Sequence, residues 1–207
     1  MEHIRSKLSS DKIGIRLVWT LLIFSIVFVG VTIISYYLLP EGLLKNKNPL
    51  TSWETSNSIL ISSMQIFLYN MLSIIVIISG SMLGYKKENE QNYLSFGYAA
   101  FFAMICVNAI TLGTWSFSVE SPAIPLIDRI VRMCDLFHRA GFWEMTGQLF
   151  ITCSLAKIAI VQTCGKSTKT KKFRDIILTK SEVAVLVAGI LLMVMGAVIE
   201  STSINMI

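Results

Sequence analysis

Six side chains able to carry protons or hydrogen-bonding ligands stand in or beside long apolar runs: Asn70, Asn108, His138, Glu144, Gln148 and Glu200. Two carboxylates near a histidine are the ingredients of an acid–base pair or a metal site. The spacing does not support either. Asp135, His138 and Glu144 match no metal-ligand pattern, and the chain has only 2 histidines. There is no Gly-rich phosphate loop, no H-E-x-x-H and no nucleophile elbow. The expectation is a non-enzymatic protein with no catalytic residue, no cofactor and no metal. An ionisable group at the centre of a membrane helix costs about 2.5–3.5 kcal/mol, so these residues need another reason to be there. Binding helices to one another through hydrogen bonds is such a reason. Glu144 and Gln148 are four apart, hence on one helix face. With Asn70, Asn108 and Glu200 they are expected to form one structural polar cluster. Independent carboxylates at headgroup level are the alternative. Lys157, near the inner end of its run, has a stem long enough to snorkel to the headgroups.

The elements that must position these residues are membrane spans. Of 207 residues, 54% are hydrophobic and 15% charged, where a soluble domain is about one-quarter charged. The length fits one membrane domain, 1–207. A span needs about 20 apolar residues. Five runs qualify, at 17–39, 59–85, 93–117, 142–163 and 183–204. The first is too long for a secretory signal and is read as retained. The fold class expected is all-α, a polytopic bundle of about five transmembrane helices.

Charge sets the expected orientation. With the N-terminus inside, the inner segments carry 12 Lys and Arg and the outer segments 5. The positive-inside tendency therefore puts the N-terminus inside the cytoplasmic membrane and the C-terminus outside. The net charge of +5 comes with no nucleic-acid module, so no nucleic acid is expected as a partner. Cys106, Cys134, Cys153 and Cys164 form no C-x-x-C pair, and read as small apolar residues rather than a disulfide framework.

Smaller features complete the pattern. Gly80 and Gly84 fall on one face of the second run and are read as helix-packing positions. Between the third and fourth runs, apolar Ile127, Ile130, Val131, Cys134 and Phe137 oppose Asp128, Arg129, Arg132 and Asp135. That is an amphipathic helix, either lying in the outer interface or docked over the bundle. Segment 164–182 is the most basic and is read as a topology signal, with attraction to anionic inner-leaflet lipid as the alternative.

Four stretches together resemble the stage II sporulation protein M family of integral membrane proteins. They are "IFLYNMLSIIVIISGSMLG" with Asn70, "FAMICVNAITLG" with Asn108 and Gly113, "RAGFWEMTGQL" with Gly141 and Glu144, and "GAVIEST" with Ala197 and Glu200. The family usually has histidine directly before the glycine matched by Gly141. Ala140 stands there instead, and His138 lies two residues earlier. The resemblance implies further helix-packing glycines at Gly113 and Gly141. It also implies a membrane scaffold or anchor for partner proteins, or a membrane subunit of peptide (bacteriocin) export or immunity beside an ATP-driven transporter. The partners implied are the lipid bilayer, other membrane or envelope proteins and, in the transport case, an ABC-type ATPase. A homo-oligomer is left open.

Overall fold

A helix in lipid shows hydrocarbon outward and keeps its few polar groups inward. Helix α2, Ile13–Leu38, follows this rule. Its buried stripe is Arg16, Thr20, Phe24, Phe28, Thr32 and Ser35, while Val18, Leu22, Ile26 and Ile34 are exposed. Two of the buried hydroxyls are satisfied within the helix. Thr32 donates to the Phe28 carbonyl at 2.8 Å and Ser35 to the Val31 carbonyl at 2.6 Å.

The computed structural model describes residues 2–45, 47, 56–117, 123–133 and 140–205. Besides α1 (Glu2–Leu8) and α2 it contains α3 (Ile59–Ser81), α4 (Gly97–Gly113), α5 (Leu126–Met133), α6 (Ala140–Ser154) and α7 (Lys180–Asn205). Three helices, α2, α3 and α7, are long and apolar enough to cross a membrane. Helix α4 is apolar but shorter, at 17 residues. Helix α6 has 15 residues and is about 22 Å long at 1.5 Å per residue.

Helix α6 lies at the centre. It packs most extensively against α7 and also meets α2, α3 and α4. Met145, Gly147, Gln148, Leu149, Ile151, Thr152 and Cys153 are all buried. It is also the least apolar of the bundle helices. The central helix is thus more polar than the long helices packed around it.

The chain is not purely helical. Strands β1 (Leu83–Lys86), β2 (Leu94–Ser95), β3 (Val161–Cys164) and β4 (Ser167–Thr170) form one sheet in the order β2-β1-β3-β4. The outer pairs are antiparallel hairpins, and β1 runs parallel to β3 with Gly84 opposite Gln162. A helix–hairpin–helix unit therefore occurs twice, as α3-β1-β2-α4 and α6-β3-β4-α7. The expected runs 59–85 and 142–163 continue apolar past the helix ends, which is why sequence alone extended them. Where each helix stops, backbone groups find partners across the sheet end. The Met82 carbonyl accepts from the Ile160 and Val161 amides at 2.8 and 3.0 Å.

Helix α5 turns a cation inward. Its apolar Ile127 and Val131 are 74% and 62% exposed, and its Arg129 is 4% exposed. The helix docks on α2 and α4 through a cation rather than through its apolar face.

Candidate functional site

Polar side chains of three helices come together where α3, α6 and α7 meet. Asn70 is half-buried on α3, and its Nδ2 donates to Oε1 of Glu144 on α6. The Glu144 side chain reaches α7 because Gly196 leaves it room. A β-carbon on Gly196 would stand 2.8 Å from Glu144 Cγ. Glu200, one turn beyond Gly196, brings its carboxyl group within hydrogen-bonding reach of Glu144. The next residue, Ser201, donates to the Ile59 carbonyl at 2.9 Å and ties α7 to the start of α3. Two carboxyl groups bond to each other only through a shared proton.

The remaining expected members lie differently. Gln148 is buried one turn from Glu144, and its Oε1 has no hydrogen-bond partner among the described residues. Asn108 is exposed on α4 and is not part of the contact. His138 and Arg139 lie outside the described residues. Among the described residues no group of three His, Cys, Asp or Glu is placed to hold a metal ion. Cys106, Cys153 and Cys164 are free thiols, and Cys134 lies outside the described residues.

The glycines divide as well. A β-carbon on Gly80 would lie 3.1 Å from the Phe96 carbonyl oxygen, and one on Gly113 would lie 2.6 Å from that of Thr32. Both are close approaches of backbone. Gly84 sits in β1, beyond the end of α3, against Ala159 rather than on a helix face. Gly141 has nothing within 4 Å of an added β-carbon, so it packs against no helix. The most extensive helix pair, α6 with α7, meets at Gly147 and Gly189, which the sequence reading did not single out. A β-carbon on Gly147 would stand 2.7 Å from the Gly189 carbonyl oxygen, and one on Gly189 would stand 2.9 Å from that of Gly147.

Two further polar sites lie at the ends of the bundle. At the sheet end, Arg16 of α2 donates to Glu182 of α7 at 2.5 Å and to the Ser10 carbonyl at 3.1 Å. Glu182 also accepts from the Thr179 amide at 2.8 Å, while the Thr179 hydroxyl accepts from the Glu182 amide at 3.3 Å. This is a capping box, and T-x-x-E before an apolar run was its readable signal. Lys157 is not in a span at all. It follows α6 in a turn and pairs with Asp11. Arg5 holds Glu90 through two bonds of 2.7 and 2.9 Å. The Arg5 guanidinium keeps the Glu90 carboxyl well below its ordinary 4.5, at about 2.

At the opposite end, Arg129 donates to the Gly113 carbonyl at 2.5 Å and to that of Leu112 at 3.3 Å. These carbonyls end α4, where the helix dipole favours a cation. The guanidinium also lies 4.8 Å from the Tyr36 ring and 5.0 Å from the Trp115 ring. Trp115 adopts a left-handed backbone, φ 52°. A cavity of about 510 Å³ opens here beside Tyr36, Glu41, Thr114, Pro125 and Arg129.

No protein-family model, curated protein or solved structure matches this chain.

Proposed function

We propose that this chain is a non-enzymatic integral membrane protein of the stage II sporulation protein M type, serving as a scaffold or anchor for partner proteins. The observation that carries the reading is the backbone contact of α6 with α7 at Gly147 and Gly189. A carrier must open a path beside the helix that bears its polar groups. Here that helix is central and held backbone to backbone, which suits a fixed anchor. The four sequence stretches that resemble the sporulation family support the same reading.

Orientation follows from charge. The segments gathered at the sheet end are 2–16, 82–96 and 155–182, and they hold 13 of the 18 Lys and Arg. The positive-inside tendency assigns that end to the cytoplasm. The C-terminus of α7 then lies outside, and partners in the envelope are within reach of it. Affinity capture of the full chain in mild detergent tests the reading. Stoichiometric co-purification of membrane or envelope proteins is expected, and a chain that is always recovered alone overturns it.

A second reading has its own observation. The contact of Asn70 with Glu144, beside Glu200, is a polar stripe that would line a path in a subunit of peptide export or immunity working beside an ATP-driven transporter. Substituting Glu144→Gln together with Glu200→Gln tests it. Loss of peptide resistance or export supports it, and unchanged resistance and export remove it.

A further inference from the structure

The β3–β4 hairpin leads into a single 3-10 turn, Phe173–Asp175, and then into α7. This segment is not a free loop. Strand β3 pairs with β1, which follows the end of α3, and Ile176 and Leu178 pack against the bundle core. The alternate side chains point away from it. Phe173 is 69% exposed and Ile177 84% exposed. Ile177 is three residues from the first residue of α7, at most about 10 Å of extended chain. If α7 crosses the membrane, these two apolar groups sit at headgroup level.

Cations surround them. Lys166, Lys169, Lys171, Lys172, Arg174 and Lys180 are all exposed. None makes an ion pair among the described residues. In 164–181 the only carboxylate is Asp175. Exposed cations by themselves fit any acidic surface. Two large apolar side chains among them, beside the end of a span, fit a surface that offers anions and hydrocarbon in one plane. An anionic lipid leaflet does this, and an acidic protein in water does not.

We infer that residues 166–180 form an anionic-phospholipid interface. The ammonium and guanidinium groups take headgroup phosphates, and Phe173 and Ile177 enter the acyl boundary. The segment would then fix the depth of α7 as well as its topology.

The test uses the full chain with Phe173→Trp, reconstituted in phospholipid vesicles. Quenching is compared for phosphatidylglycerol and phosphatidylcholine, each brominated high on the acyl chain and present at equal mole fraction. The quenching of the parent chain's own tryptophans is subtracted. The expected result is quenching at position 173, severalfold stronger with phosphatidylglycerol and reduced by high salt. Adding Lys169→Gln, Lys171→Gln, Lys172→Gln and Arg174→Gln should bring the quenching by the two lipids close to equality. These positions are exposed, so the variant is expected to fold, which its thermal transition checks. As a second measurement on the parent chain, native mass spectrometry should show retained phosphatidylglycerol in preference to phosphatidylcholine. Equal quenching by the two lipids, no quenching at position 173, or a preference untouched by removal of the four cations overturns the inference.

Discussion

Arg16 of α2 and Glu182 of α7 are joined 2.5 Å apart, with side-chain exposures of 0% and 4%. The pair fastens the first long helix to the last, across a sequence separation of 166 residues. Glu182 serves twice, because the same carboxylate caps α7 through Thr179. Removing one partner leaves a buried charge without compensation. Glu182→Gln or Arg16→Met is expected to cost about 3–5 kcal/mol, and the pair Arg16→Met with Glu182→Leu to recover a large part of it. Thermal unfolding of the four proteins in detergent checks this. A double variant no more stable than the worse single variant contradicts it.

Glycine substitutions should separate by position. Gly147→Ala puts a methyl group 2.6 Å from Met193 Cγ and 2.7 Å from the Gly189 carbonyl oxygen. Overpacking of this kind costs about 1–3 kcal/mol. Gly141→Ala meets nothing within 4 Å and gains helix propensity, up to about 1 kcal/mol. The two variants should therefore shift the melting temperature in opposite directions, and equal shifts would remove the assignment of Gly147 as the packing glycine.

Arg129 can be tested against lysine. Its Nε donates to the Ile124 carbonyl at 2.7 Å while another nitrogen of the same plane serves Gly113. A single ammonium cannot reproduce this fork between two aromatic rings. Arg129→Lys should lose about 1.5–3 kcal/mol, the worth of charged hydrogen bonds. Chemical denaturation in mixed micelles reads it, and a neutral result would show that the charge alone holds α5.

The Arg5–Glu90 pair gives a pH dependence with a definite sign. The folded carboxyl titrates at about 2 and the ordinary one at 4.5. The folded state therefore binds fewer protons, and the pair stabilises it above pH 4.5. That contribution fades as pH falls from 4.5 toward 2. Both groups are partly exposed, so Arg5→Gln should cost no more than about 1 kcal/mol at neutral pH. The loss should shrink as the solution is acidified through that window. Melting curves of parent and variant over this range are the check, and a gap that widens in acid contradicts it.

Composition by itself determined a good deal. An apolar run is apolar whatever it packs against, so the runs at 17–39 and 183–204 already marked α2 and α7 to within a few residues. Charge asymmetry is likewise additive and readable without coordinates. Only the tertiary structure decided which face of each helix turns inward. Helices α2 and α7 are apolar almost all round, so only a few polar residues, such as Arg16, Thr20, Thr32 and Ser35 on α2, mark an inward face. Two carboxylates and an asparagine were legible as groups needing partners. Their meeting at Asn70, Glu144 and Glu200, with Asn108 left outside, depends on helix rotation. The same holds for Gly147 against Gly189, and for Arg129 turning inward. The sheet was hidden for a different reason: β1 and β3 are too short to show alternation, and they form because each helix end needs backbone partners that the other supplies.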